Sequence, residues 1–203
     1  MQSINIEDES LLRTFAPVTV SIALGNLTKQ VKTNSIQLES SCGDAQAFSF
    51  GNACASTVSM VIDGAYPDIR GERLVLSWYV REAQSYPLFI GTVTKAEISA
   101  GKTTIRAGDV MATTGGNPMM ITERMRDHMT AGEGWVAVAA QLDCFYSQDD
   151  VDRLDPIGIV NGFSSLPDEV SISAVAGYLA GLVGCNAVID RSGWLRLTGP
   201  SAA

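Results

Sequence analysis

Residues 34 to 63 read NSIQLESSCGDAQAFSFGNACASTVSMVID, and this stretch decides the fold. Apolar side chains recur in it at every second position, in three sets. The sets are Ile36 and Leu38, then Phe48 and Phe50, then Val58, Met60 and Ile62. A two-residue spacing places each set on one face of a strand, and Gly43 with Asp44 and Gly51 with Asn52 mark turns between them. The stretch predicts a sheet scaffold and contains no catalytic grouping.

Further strands are predicted on both sides of this stretch. They cover residues 18–22, 27–33, 73–80, 89–98 and 102–107. With the central stretch they make about seven antiparallel strands joined by short loops, a spacing that suggests a barrel or a sandwich. We therefore predict a mainly β fold, with an N-terminal arm at residues 1–15 and an antiparallel β-barrel domain at residues 16–108.

The composition changes near Gly108, and residues 109–203 are predicted to form a smaller α+β domain. Its predicted elements are a helix near 118–131 from Pro118 to Gly132, a strand at 135–140, a helical turn at 149–154, a helix near 171–183 capped by Ser171, and a C-terminal hairpin over 186–198. The first helix carries methionines near helical spacing. Such a stripe is more often core than interface, although methionine also suits adaptable subunit contacts.

Charge and hydropathy argue against two classes of partner. The chain has 203 residues and a net charge of −8, and its 14 basic residues are scattered. Phosphate binding needs clustered lysine and arginine, so we expect no nucleic-acid partner. Residues 1–10 lack the basic and apolar regions of a signal peptide. No stretch approaches about 18 uninterrupted apolar residues, so we expect no membrane span.

The four cysteines show no metal or redox spacing. They are Cys42, Cys54, Cys144 and Cys185, and no two of them form a C-x-x-C pair. Free, partly buried thiols are the favoured interpretation, because they fit a protein folded in a reducing cytoplasm. Cys42 and Cys54 flank a predicted turn and could sit on neighbouring strands, so a bridge between them stays open as the alternative.

Two patterns imitate catalytic motifs. Residues 100–104 read AGKTT, like the end of a phosphate-binding loop, but Ala96 stands where the motif needs glycine and both flanks read as strands. A hairpin turn is therefore predicted. A dyad of His128 and Cys144 is conceivable, but nothing in the sequence marks Cys144 as a thiolate.

The acidic residues near the middle of the second half do not form a calcium loop. Asp150 and Asp152 have the first spacing of such a loop, but Leu154 and Asp155 break the rest of it. We predict that Asp143, Asp149, Asp150 and Asp152 form a solvated face or a helix N-terminus. The sequence therefore predicts no catalytic, cofactor-binding or metal-binding residue, no cofactor, and no enzyme activity.

Three blocks of sequence, in this order, resemble phage and prophage tail hub proteins. The first block is SIQLESS at 35–41 with FSFGNACAS at 48–56 and VSMVI at 58–62; the second is IRGERL at 69–74 with YPLFIGTVT at 86–94; the third is SISAVAGYLAGLVGCNAVIDRSGWL at 171–195. The chain ends at Ala203, where hub proteins usually continue, so we expect either a short hub or one segment of a longer one.

The resemblance implies a structural role. It implies tail-tube-like β domains and a ring, usually a homotrimer, at the distal end of a virion tail assembled in the host cytoplasm. The partners implied are the distal tail or tail tube protein, the tape measure protein and tail-tip proteins. An alternative function is a carbohydrate- or receptor-binding β module of a tail tip, in which Trp78, Tyr79, Tyr86 and Trp135 would line a sugar site.

Overall fold

The computed structural model describes residues 18–24, 27–31, 35–42, 50–80, 84–160 and 169–199. Within them lie ten strands. These are β1 (Val18–Leu24), β2 (Leu27–Val31), β3 (Gln37–Cys42), β4 (Ala53–Asp63), β5 (Arg73–Val80), β6 (Gln84–Ser99), β7 (Lys102–Gly108), β8 (Phe145–Tyr146), β9 (Asn186–Ile189) and β10 (Trp194–Thr198). The helices of the same residues are α1 (Val110–Thr114), α2 (Glu123–His128), α3 (Ala131–Leu142), α4 (Gln148–Leu154), a 3₁₀ turn (Asp155–Ile157) and α5 (Ile172–Leu182).

The strands form one curled sheet in the order β2-β1-β5-β6-β7-β4-β9-β10-β8, and β3 pairs with β4 beside this path. The pairs are antiparallel except β4 with β9 and β8 with β10. Strand β4 therefore belongs to both halves of the sheet, because its C-terminal part pairs with β7 and its first two residues pair with β9. The fold is mainly β, as the sequence predicts.

The first hydrophobic core lies on one face of β4 to β7. Val58, Met60 and Ile62 are buried, whereas Thr57 before them and Val61 between the last two are exposed. The same alternation buries Leu74 and Leu76 on β5. Because every second side chain of a strand shares a face, this core confirms the alternation read from the sequence.

A second core lies under the helices. Ser171 caps α5 by accepting a hydrogen bond from the backbone N–H of Ala174 (3.2 Å), as predicted. Val175 and Leu179 are buried on its inner stripe, and Gly184 follows the helix with a φ of +66°. Alanine at Gly177 would bring its Cβ to 3.1 Å from the backbone nitrogen of Ala53, so glycine lets this helix lie against the start of β4.

In the second half, one predicted helix is shorter than expected and one predicted strand is wrong. The helix near 118–131 is present only as α2, which begins after its cap Thr122, because Pro118 forms an antiparallel bridge with Ser171 instead. The strand predicted at 135–140 is part of α3. A capping box of Thr130 and Glu133 starts that helix, and its buried residues recur at helical spacing.

Several predictions made from the sequence concern residues outside the described ranges. The arm at residues 1–15, the turn at Gly43 and Asp44, and Phe48 lie outside the described residues. Phe50 is described and lies in a bend, not in a strand. The division of the chain at residue 108 stays a prediction.

Candidate functional site

The AGKTT pattern forms a hairpin turn, as predicted. Ala100 and Gly101 have φ values of +49° and +71° and connect β6 to β7. The residues on both sides pair with each other, Ser99 opposite Lys102. A phosphate-binding loop needs a helix after the loop, so this segment is structural.

Cys144 lies in an environment that opposes a thiolate. It is half-buried between α3 and β8, and burial, with a smaller contribution from Asp143, raises the pKa of its thiol to about 11. His128 is exposed at the last residue of α2. A thiol with a pKa this high is protonated at neutral pH, so Cys144 is not an activated nucleophile.

The acidic residues separate into two environments. Asp143, Asp149 and Asp152 are exposed, as predicted. Asp150 is not: it is buried on α4 and accepts a hydrogen bond from Nε of Arg196 on β10 at 2.7 Å. Asp149 and Asp150 lie in the first turn of α4, so the predicted helix N-terminus is confirmed for them. The solvated face is wrong at Asp150, because α4 turns this residue towards the sheet. No cluster of three potential metal ligands occurs in the described ranges.

The methionine stripe is core except at Met120, which is 77% exposed. The described side chains among the proposed sugar-site aromatics are buried or half-buried. Met119 and Met125 are buried. Trp135 is also fully buried. Trp78 and Tyr86 are half-buried and contact each other with ring centroids 6.3 Å apart. The side chain of Tyr79 lies outside the described part of the chain.

Asp109 joins β4, β7 and α1. Its carboxylate accepts hydrogen bonds from the backbone N–H of Ser56 (2.7 Å) and of Ala112 (2.8 Å), so it caps α1 and holds β4 beside it. The residue is buried, and this burial, opposed by those hydrogen bonds, raises the pKa of the Asp109 carboxyl above its ordinary value of 3.8. The composition of the sequence gives no signal for this junction.

The raised pKa predicts a pH dependence that Asp109→Asn removes. A carboxyl whose pKa is higher in the folded state contributes stability below its unfolded pKa and loses that contribution as pH rises through the folded pKa. The free energy of unfolding of the wild type, minus that of the variant, should therefore fall as pH rises from 3.8 and then level off. Denaturant unfolding of both proteins across this range measures the difference. A difference that grows with pH would contradict the prediction.

The outer edge of β3, Gln37–Cys42, is the candidate assembly surface. All six residues of this strand are exposed. Leu38 lies opposite the buried Val58, on the core face, yet it is 48% exposed. Within the described residues β3 pairs with β4 alone. We call this strand and its unpaired side the β3 edge.

Cys42 and Cys54 are joined by a disulfide across this edge. The two residues face each other in the β3–β4 ladder, with Cα atoms 4.2 Å apart. The favoured interpretation of free thiols is therefore wrong for this pair, because strand register brings the two side chains together. Cys144 and Cys185 are free thiols.

A second exposed apolar surface lies at the far end of the sheet. Phe145 on β8 and Trp194 on β10 are directly paired in register, and their ring centroids are 5.6 Å apart. Both rings are exposed. Because β8 is short and reads as part of a loop, the sequence offers little to predict this pair.

Comparison with known proteins identifies the fold. No protein-family model matches the chain, and no curated protein matches it. Among solved structures, a 43 kDa tail protein of prophage MuSo2 from Shewanella oneidensis is similar, with a TM-score of 0.59 and 14% identity over 91% of this chain. A tail protein from Neisseria meningitidis MC58 matches with a TM-score of 0.57 and 14% identity over 89% of this chain.

The chain thus has the fold of phage and prophage tail proteins. It spans about half the length of the two solved proteins, because the matches cover 56% and 50% of their chains. No helix in the described ranges is long and apolar enough to span a membrane.

Proposed function

We propose that this chain is a structural component of a phage or prophage-derived tail, with no chemistry of its own. It forms the hub, a ring at the distal end of the tail, by self-association. Its neighbours in this proposal are the distal tail or tail tube protein, the tape measure protein and tail-tip proteins, and it is located in the virion tail after assembly in the host cytoplasm. The shared fold of the two tail proteins supports the class.

The β3 edge is the observation that carries the proposal. An unpaired edge strand presents backbone N–H and C=O groups that another strand can pair with, and monomeric proteins usually protect such edges with lysine, proline or a bulge. The sequence of β3, QLESSC, contains one charge and no proline. The exposed Leu38 adds an apolar contact on the core face, so the edge suits pairing with a neighbour.

Self-association through this edge favours a ring over a two-fold dimer. One end of the strand order is β2, a second edge strand that pairs with β1 alone in the described part of the chain. Pairing of two different edges is a head-to-tail contact, and head-to-tail contacts close into rings when the rotation between subunits permits. Three copies are the expected number.

The mass of the purified chain in solution tests this proposal. Light scattering behind a sizing column at micromolar concentration should give the mass of a trimer. A hexamer would keep the ring and correct its size. A monomer under these conditions would contradict self-association by this chain.

We expect Leu38→Lys to convert the ring to monomers. The substitution places a charge at the β3 edge, where a neighbouring strand would have to bury it, and such charges block edge-to-edge pairing. Val61→Lys is the matched control, because Val61 is also exposed (38%) but lies on β4, which is paired with β7 at that position. Light scattering should show monomers for the first variant and the wild-type mass for the second. Equal masses for the three proteins would exclude the β3 edge as the contact.

The exposed ring pair of Phe145 and Trp194 favours a second candidate function, a carbohydrate- or receptor-binding module of a tail tip. Of the four aromatic residues named from the sequence, Trp135 is buried and Trp78 and Tyr86 are half-buried, whereas this exposed pair offers two adjacent rings. A glycan screen comparing the wild type with Trp194→Ala separates the two functions. Binding lost in the variant, by a chain that stays monomeric, would favour this candidate over the hub.

A further inference from the structure

The Cys42–Cys54 bond lies where it controls the attachment of the β3 edge. The two cysteines form the last residue pair of the β3–β4 ladder, which begins with Gln37 opposite Ser59. Cys42 is an exposed residue of the edge strand, whereas Cys54 is buried on the strand that also pairs with β9. The bond therefore ties the exposed strand to the centre of the sheet.

Among the described residues, few other contacts hold β3 in place. All of its residues are exposed, so burial contributes little to its attachment. One side-chain hydrogen bond, between Ser40 and Ser56 (3.1 Å), supports the backbone pairing with β4. Strands with few buried contacts open at low free-energy cost, so a covalent tie changes the behaviour of this strand more than that of a buried one.

We propose that Cys42 and Cys54 form a reversible redox clasp on the β3 edge. The pair is a dithiol in a reducing compartment, where β3 opens readily, and a disulfide in an oxidising one, where β3 is held in the sheet. The link to assembly rests on the proposed function: a tail protein is made in a reducing cytoplasm and acts outside the cell, so the clasp would close after release and stabilise the ring.

The chemistry needs a small-molecule disulfide, such as oxidised glutathione, as the oxidant. The thiolate of the exposed Cys42 attacks one sulfur of that disulfide, forming a mixed disulfide and releasing one thiol. The thiolate of Cys54 then attacks Sγ of Cys42, closing the protein disulfide and releasing the second thiol. Two protein thiols are oxidised and one small disulfide is reduced to two thiols.

The other two cysteines are shielded from this exchange. Cys185 is buried, and Nη2 of Arg153 donates a hydrogen bond to its sulfur at 3.0 Å. Cys144 is half-buried and its pKa is raised to about 11. Exchange proceeds through the thiolate of an accessible cysteine, so oxidation should be confined to the exposed Cys42 and its partner.

The clasp is tested on the full chain in two redox states. Samples equilibrated with reduced or oxidised glutathione are alkylated and weighed by mass spectrometry, and amide hydrogen exchange is followed over residues 37–42. We measure exchange in the Leu38→Lys background, so that a neighbouring subunit does not protect the strand. Cys42→Ser, which cannot close the bond, is compared with Cys144→Ser, which keeps both clasp cysteines.

Oxidation should protect two thiols from alkylation and slow the exchange of β3 at least about tenfold, because the strand then opens only with its neighbours. Cys144→Ser should respond in the same way, and Cys42→Ser should not respond. Equal exchange in both redox states, or four alkylated thiols after oxidation, would overturn the clasp. A wild-type chain that is monomeric in both redox states, together with an exchange difference in the Leu38→Lys background, would refute the ring and keep the clasp.

Discussion

Replacing Gly91 by alanine is expected to lower the free energy of unfolding by about 3 kcal/mol or more, the upper range for overpacking a core. Gly91 is buried on β6, and an added Cβ would overlap the carbonyl oxygen of Gly108 and lie 2.6 Å from Cζ of Phe89. The carbonyl cannot withdraw easily, because Gly108 is paired on both sides, with Thr57 and with Thr92. Chemical denaturation of the variant measures the loss.

Gly116→Ala is the matched control for this substitution. Gly116 lies in an exposed turn after α1, and no atom lies within 4 Å of the position of its Cβ. The free energy of unfolding of Gly116→Ala should stay within about 0.5 kcal/mol of that of the wild type, as for most surface changes. If Gly91→Ala were as stable as this control, the close approach of β6 and β7 would not constrain the sheet as described.

The sequence predicts best what depends on local spacing. The alternation of Val58, Met60 and Ile62 fixes which face of β4 is buried, since side chains alternate along any strand. The cap Ser171 and the Gly184 that follows α5 are likewise local signals. The mainly β class and the C-terminal hairpin follow from such features, and the structure confirms them.

Properties that depend on distant residues could not be predicted. The stretch at 135–140 is apolar enough for a strand, and its helix is set by the capping box of Thr130 and Glu133 together with the core beneath it. The disulfide depends on the register of β3 against β4, which aligns Cys42 with Cys54. Leu38 follows the apolar pattern of a core residue, yet it is exposed because no described strand lies beyond β3. The exposed β3 edge and its disulfide, which carry the candidate site, therefore depend on distant residues and not on local spacing.

Arg196→Met is expected to lower the free energy of unfolding by about 3 kcal/mol or more, the cost of leaving a buried charge without its partner. The side chain of Asp150 is 3% exposed, and its carboxylate accepts a 2.7 Å hydrogen bond from Arg196. Methionine keeps the length of the apolar stem of arginine and removes the charge. The buried carboxylate at the start of α4 would then lack its charged partner, and denaturant unfolding should show the loss.

Asp150→Asn should cost less, about 1–2 kcal/mol, because the partner left behind is not buried to the same degree. The Arg196 side chain is 37% exposed and can turn its guanidinium into water. Arg191→Met, in the exposed turn between β9 and β10, controls for the loss of an arginine from the same hairpin and should change stability by less than about 0.5 kcal/mol. The order of the stability losses of these three variants therefore tests whether the burial of an unpaired charge causes the loss in Arg196→Met. If Asp150→Asn cost as much as Arg196→Met, loss of the pair itself, and not the burial of one unpaired charge, would explain both effects.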